Sequence, residues 1–442
     1  MEQHKQNLTW PGKLRVKYAL IYTAWFGIML WAMPKAAHFL DIPFWRRWST
    51  YIFEHGLSNV YQVEDNNYNP LFHYFLYVFG LLAGSTVGIA NKIYWIKAFP
   101  LVFDFVGALA AVSFVKGTQR RFALSFWLLL NIGYLYNSWV WGQVDSIYTC
   151  FVFFAAAFAL RGKPIGSLVF YVLAINAKTQ AIIFLPPLLL LWIPLWLQSG
   201  KKFPLAVLSA AAVQFLILIP FIWFGDENYV RHIIDINFNA VGFYKVISMG
   251  AYNFWHLVTQ HFGITIQSDD LIVAGLTYRN WGLILFCLSS FIVLLPLFVI
   301  TVRNLLAPDQ AVPVERSLVF ITFALIPICF CYFNTEMHSR YWHAALLFLA
   351  AYSFVTNRYF VFVLCSVAYL LNLESVLKFL QENYHLYIEH NPLLNHRAIS
   401  ILFTLVLLMG LVELYRLVDV RLHVREGINN LFSSRKATSP NA

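Results

Sequence analysis

Runs of about 15–22 consecutive apolar residues recur along this chain, close to the ~20 that an α-helix needs to cross a lipid bilayer. They fall at 18–37, 71–90, 98–115, 122–138, 145–161, 165–177, 180–197, 204–224, 283–302, 317–333, 342–356, 358–372 and 398–416. Lipid offers no partner to a free peptide group, so such runs must be helical. Composition agrees: 60% of residues are hydrophobic and 12% charged, where a soluble domain carries about 25% charge. A soluble enzyme, a disordered chain and a fibrous protein are therefore excluded. Aromatic residues make up 18%, as suits interfacial belts. The five cysteines lie in or beside apolar runs without CxxC spacing, so neither a disulfide framework nor a zinc site is expected. The expected fold is an all-α polytopic membrane protein, one integral domain over residues 1–442.

Charge sets the expected orientation. The first run follows Lys5, Lys13, Arg15 and Lys17 and lacks a small-residue cleavage site. It reads as a signal anchor, with the tail 1–17 in the cytoplasm. Lys116, Arg120, Arg121, Arg161, Lys163, Lys201, Lys202, Arg303, Arg316 and Arg358 then share the cytoplasmic side with a basic tail at 417–442. The loops 38–70, 137–145, 177–180, 225–282, 334–341 and 373–397 fall outside. Between loops 38–70 and 116–121 the chain must cross an odd number of times, yet two runs are present. Either 71–97 returns without crossing, aided by Gly80, Gly84 and Gly88, or the inside end near Lys116 is misplaced. Both ends inside require an even total, put at about 12.

Polar side chains concentrate in the outer loops. In loop 38–70, Phe44, Trp45, Trp48 and Ile52 recur on one helical face, while Arg46, Arg47, Thr50 and Glu54 occupy others. This predicts an interfacial amphipathic helix of about three turns, ended by His55-Gly56. Asp41 is either its N-cap, with Pro43 in the first turn, or a carboxylate held at headgroup depth for chemistry. Asn67-Tyr68-Asn69-Pro70 starts the next helix or offers hydrogen bonds to sugar hydroxyls. Trp141-Gly142-Gln143-Val144-Asp145-Ser146 is a tight turn with a helix cap, or a set of paired polar groups beside a glycine. Lys178, within Asn176-Ala177-Lys178-Thr179-Gln180, either pairs with a carboxylate such as Asp145 or meets a lipid phosphate. The stretch 334–343, with Glu336, His338, Arg340, Tyr341 and His343, is the densest polar cluster. It is either a headgroup anchor or a phosphate clamp, for which arginine's fork is suited. Asp104 lies within an apolar run, seven residues after Lys97. It is a functional carboxylate or the partner of Lys97 in an ion pair.

In this order the motifs resemble those of GT-C fold glycosyltransferases that use polyprenyl-phosphate sugars, nearest to bacterial relatives of the second mannosyltransferase of GPI-anchor assembly. Asp41, Trp48, His55 and Gly56 match an Asp, a Trp-containing amphipathic helix and a His-Gly turn after the first span. Asn67-Tyr68-Asn69-Pro70 stands where the relatives carry an Asp-Tyr-Pro-Pro-like string, one carboxylate fewer. Trp141 to Ser146, Lys178-Thr179-Gln180 and Ala251-Tyr252-Asn253-Phe254-Trp255 match further strings. Met337-His338-Ser339-Arg340-Tyr341 resembles Met-His-Glu-Arg-Tyr. The likeness spans about residues 15–345.

The resemblance implies a GT-C-like bundle that transfers a hexose, mannose before glucose, at the periplasmic face of a bacterial inner membrane. The acceptor would be a lipid-linked glycan or polysaccharide, and the reaction a single displacement with inversion. Asp41 is the expected base. Lys178, Gln180, His338, Arg340 and Tyr341 are the expected donor-phosphate residues. Trp45, Trp48, Asn67, Tyr68, Trp141, Gln143, Asp145 and Asn253 are the expected substrate contacts. No cofactor is expected, although Asp41, Asp145 and Glu336 could gather a divalent ion. No nucleic acid partner is expected. The competing reading is a transporter or flippase of lipid-linked saccharides, which should spread ionisable groups through the membrane depth. An inactive scaffold of the same fold is the third.

Overall fold

The computed structural model describes residues 12–198, 200–239, 242, 244–259, 267–386 and 395–417. The start of the expected N-tail, 1–11, and the basic tail from 418 on lie outside them. Seven helical stretches are long and apolar enough to cross a membrane: Thr86–Val112, Thr179–Gln198, Lys202–Trp223, Tyr278–Leu306, Arg316–Phe333, Phe360–Leu377 and His396–Leu417. In Lys202–Trp223 and Tyr278–Leu306 only 22% of the most apolar window is buried by protein. So much unpartnered apolar surface requires a lipid surrounding. The chain is an all-α membrane protein.

Helix α1 (Gly12–Trp31) leads through Pro34 into α2 (Asp41–His55). The second helix has the expected amphipathic division, with Ile42, Trp45, Trp48 and Ile52 buried and Arg46 and Arg47 exposed. Each of those large apolar side chains contributes about 1.5–3 kcal/mol by burial. The capping role considered for Asp41 is not observed. Leu40 occupies the cap position, and Asp41 is the first helical residue, with its carboxylate directed elsewhere.

The run 71–90 begins with α3 (Pro70–Ala83). This helix has 14 residues, about 21 Å, and lies along α2. Phe72 meets the edge of Trp45 at 4.7 Å, and Gly80, two turns on, abuts Ser49 and Phe53. Gly84, left-handed at φ +79°, ends it. Next come α4 (Thr86–Lys92), a 3-10 turn at Ile93–Lys97 and α5 (Ala98–Val112). The Lys97 ammonium donates to the carbonyls of Pro34 at 2.9 Å, Ala36 at 2.5 Å and Val140 at 2.7 Å. Since Pro34 and Ala36 directly follow α1, residues 41–97 leave and return at one end of the bundle. The run 71–90 is thus a pair of packed helices. Lys97 is engaged by carbonyls and does not pair with Asp104, which instead faces Ser138 and His343.

Helix α6 (Thr118–Leu129) breaks at Asn131, α7 (Ile132–Leu135) follows, and a π-helical turn at Tyr136–Trp141 delivers the chain to Gly142 and α8 (Asp145–Leu160). Gly142 sits at φ +85°, and a Cβ there would stand 3.2 Å from Lys97 Cε and 3.3 Å from Ile42 Cδ1. Both the backbone conformation and the close approach require glycine. Then come α9 (Pro164–Ala177), α10 (Leu185–Gln198) and α11 (Lys202–Trp223). The outer loop expected at 225–282 contains α12 (Val230–Phe238), α13 (Trp255–Val258) and a small hairpin pairing Ile272–Val273 with Leu276–Thr277. The rest is α14 (Tyr278–Leu306), α15 (Arg316–Phe333), α16 (His343–Thr356), α17 (Phe360–Leu377), α18 (Phe379–Tyr384) and α19 (His396–Leu417).

Basic residues gather at the end opposite Lys97. Arg161 reaches Ser113 at 2.9 Å, Arg316 the Phe114 carbonyl at 3.0 Å, Arg120 the Asn357 side chain at 2.5 Å and Arg358 Glu413 at 2.6 Å. That end carries Arg120, Arg161, Arg316 and Arg358, and the motif-bearing turns lie at the other, where Lys97 is bound.

Candidate functional site

Three turns meet at the Lys97 end: the start of α2, the π-turn before α8, and the 3-10 turn Ser339–Trp342 before α16. The first brings Asp41, only 8% exposed. Its Oδ2 accepts the Trp141 indole N–H at 2.6 Å, with His38 Nδ1 at 3.6 Å and Arg340 Nη1 at 3.9 Å. The His38 ring stacks on Trp141 at 5.1 Å. Three groups thus surround one carboxylate oxygen, and among the described residues none makes a hydrogen bond to Oδ1. Burial lowers the His38 imidazole, partly offset by Asp41 and reinforced by Arg340.

Asp145, wholly buried, opens α8. It takes a direct ion pair from Lys178 and a 3.1 Å hydrogen bond from Asn137 on the π-turn. Of the two readings of Lys178, the carboxylate pair is the one observed. Burial lowers the Lys178 ammonium to about 8, against the opposing pull of Asp145. Its charge also lies 5.0 Å from the centre of the Tyr341 ring.

Arg340 stands between the two carboxylates, 3.9 Å from Asp41 Oδ2 and 3.9 Å from Asp145 Oδ2. Those are ion-pair distances, too long for hydrogen bonds. The side chain is buried, yet its Nε has no hydrogen-bond partner. Burial opposes its charge, but Asp41, then Tyr341, Tyr68 and Asp145, hold the guanidinium above its usual range. A buried guanidinium with unengaged N–H groups is costly unless an acceptor meets it. His338 lies beside it with Nε2 unpartnered. Burial first, then Arg340 and Lys178, push its pKa far below the ordinary histidine value, so it is neutral and can offer one N–H. Gln143 accepts from the Tyr68 hydroxyl at 3.2 Å and leaves its own Nε2 without a partner.

Of the residues singled out from sequence, Asp41, Trp141, Asp145, Lys178, Arg340 and Tyr341 come together, with Tyr68, Gln143 and His338 on the rim. Others do not. The indoles of Trp45 and Trp48 are 1% exposed and donate to the Gly142 carbonyl and to Asp65, so they form the site's floor. Asn67 is exposed and makes no contact with the cluster. Gln180 makes no hydrogen bond or ion pair with it. Asn253 donates to the carbonyls of Cys331 and Asn334, fastening the 250s loop to α15. Glu336 accepts from the amides of Gly242 and Tyr244, which orders the loop over the site rather than gathering an ion with Asp41 and Asp145. Among the described residues no group of three or more His, Cys, Asp or Glu is placed to hold a metal.

Sequence reasoning passed over His38 and Asn137. Asn137 ends an apolar run eight residues before Asp145, and His38 directly follows the first run. A polar residue at the end of a span was the available signal for both. No protein-family model matches the chain, and no curated protein matches it significantly.

Proposed function

We propose that this chain is a membrane glycosyltransferase of the GT-C class. It moves a hexose, mannose before glucose, from a polyprenyl-phosphate donor to a hydroxyl of a lipid-linked glycan or polysaccharide. One observation carries the reading: Asp41, a carboxylate with one anchored and one free oxygen, stands 3.9 Å from Arg340, a buried guanidinium with an unengaged Nε. A base and an anion-binding group side by side are what this transfer requires. In this reading twelve segments cross the membrane: α1, α5, α6 with α7, α8 to α11, α14 to α17, and α19. The cationic end faces the cytoplasm, and the site faces the periplasm of a bacterial inner membrane.

The acceptor O–H attacks the anomeric carbon from the face opposite the phosphate. The new C–O bond forms as the C–O bond to phosphate breaks, and the acceptor proton passes to Asp41 Oδ1. Trp141 fixes the other carboxylate oxygen, so the base has one orientation. Arg340, aided by the His338 N–H, takes up the charge that grows on the departing polyprenyl phosphate. Phosphate is a good leaving group, so one carboxylate suffices where a glycosidase needs two. Single displacement inverts the anomeric centre. Incubating membranes containing the chain with mannosyl- and glucosyl-phosphoryl polyprenols should yield a glycosylated product by mass spectrometry. Failure with both donors sinks the reading.

Two predictions follow from charge. Lys178 with a pKa of about 8 is charged below that pH and neutral above it. Neutral Lys178 leaves Asp145 with Arg340 as its remaining counter-charge, so the phosphate site loses one positive charge. Donor affinity should be flat below pH 8 and fall by up to about tenfold per pH unit above it, because one proton is lost. Constant affinity to pH 10 would contradict this. For topology, a cysteine at exposed Asn67 should react with an impermeant thiol reagent in intact cells, and one at exposed Gln119 should not. The reverse pattern overturns the orientation.

A further inference from the structure

A cavity of about 230 Å³ lies between α3, α9, α11 and α12, separate from the Asp41–Arg340 cluster. Its polar lining is four amides, Asn69, Asn176, Gln214 and Asn237, and no lining residue is ionisable. Asn69 and Asn176 are 3% and 4% exposed. The amides are joined in reciprocal pairs. Asn69 donates to Asn237 at 3.1 Å and accepts from it at 2.9 Å; Asn176 donates to Gln214 at 2.6 Å and accepts from it at 3.2 Å.

The pairing leaves a particular surplus. Both N–H groups of Asn176 are engaged, one on Gln214 and one on the Val172 carbonyl, and those of Asn237 are on Asn69 and the Ile233 carbonyl. Asn69 donates to Ile175, Thr179 and Asn237. Gln214 alone keeps a spare N–H. Each amide oxygen has two lone pairs, and those of Asn69, Asn176 and Gln214 each receive one bond in these pairs. The cavity therefore offers mainly acceptors and no charge, which selects hydroxyl donors over anions and cations. Its other walls, among them Ile233, Leu218 and Phe238, are apolar and suit the C–H face of a sugar ring. The volume is many times the ~10–15 Å³ of probe space that holds one water, room for one pyranose.

Position links the cavity to the site. Asn69 follows Tyr68, whose hydroxyl holds Gln143, and Thr179, bonded to Asn69, follows Lys178. We propose that this cavity binds one uncharged sugar unit of the acceptor glycan, at a subsite removed from the point of transfer. The proposal rests on the glycosyltransferase reading for the word acceptor, but its binding chemistry stands apart from it.

The test uses the full chain in lipid nanodiscs, with methyl α-mannoside and methyl α-glucoside as sugar probes and geranylgeranyl phosphate as the phosphate probe. Ile234→Trp fills the cavity from its apolar wall without touching the amides, and Gln214→Leu removes the spare donor. In ligand-observed NMR titrations, both variants should weaken glycoside binding at least tenfold and leave geranylgeranyl phosphate binding unchanged. Arg340→Gln should do the opposite. If Ile234→Trp binds glycoside like the parent, or if neither glycoside binds a chain that does bind the phosphate, the cavity proposal is overturned. Loss of phosphate binding in the parent, with cavity-dependent glycoside binding intact, would instead overturn the reading of Arg340 and leave the sugar site standing.

Discussion

Asp41→Asn should yield a folded protein that binds donor and turns over about 10²–10⁴ times more slowly, the scale of general-base catalysis. Folding should survive because Asp41 caps nothing: Leu40 holds the cap position, and an asparagine carbonyl can still accept the Trp141 N–H. The substitution also removes a negative charge 3.9 Å from Arg340, so donor affinity should hold or rise. An amide cannot take the acceptor's proton, and that alone predicts the loss. Pre-steady-state measurement at saturating donor separates the two effects, since binding saturates normally while the chemical step slows. Normal turnover would move the base to another carboxylate, and Asp145 is poorly placed for it because Lys178 and Asn137 already engage it.

Arg340→Ala should cost about 2–5 kcal/mol in donor binding and transition-state stabilisation together, the range for removing one partner of a desolvated charge pair. It also leaves Asp41 and Asp145 facing one another without the cation between them, so thermal stability should fall as well. Arg340→Lys keeps the charge but lacks the fork, and it should restore stability more fully than activity. Measuring both quantities on both variants is the check. Full activity of Arg340→Ala at limiting donor would make the 336–343 stretch a headgroup anchor.

Much of this architecture can be read from residue order. Apolar runs give the helices, and the Phe44–Ile52 spacing gives the amphipathic α2. The 71–90 run was ambiguous because apolar length is identical for a helix that crosses lipid and a pair of helices that pack on a neighbour. Contacts such as Gly80 against Ser49 and Phe53 show the packing, which residue order alone does not give. Within the site, the acidic and basic members were legible as polar residues at span ends. The pairings were not, since they depend on how three distant turns meet. Seven-residue spacing suggested Lys97 with Asp104, yet Lys97 binds the carbonyls that tie the α1–α2 turn to the π-turn. The tryptophans of α2 were legible as aromatic but not as floor, because the direction of an indole N–H is a tertiary fact. Asn137 reaches Asp145 only because the helix widens into a π-turn there, which no local pattern announces.

The most direct measurement follows polyprenyl phosphate released by the purified chain from mannosyl-phosphoryl polyprenol in the presence of membrane-derived acceptor. Release should be matched one for one by a glycosylated product of inverted anomeric configuration and nearly abolished by Asp41→Asn. Movement of the intact donor lipid between leaflets with no release would contradict it and identify a transporter.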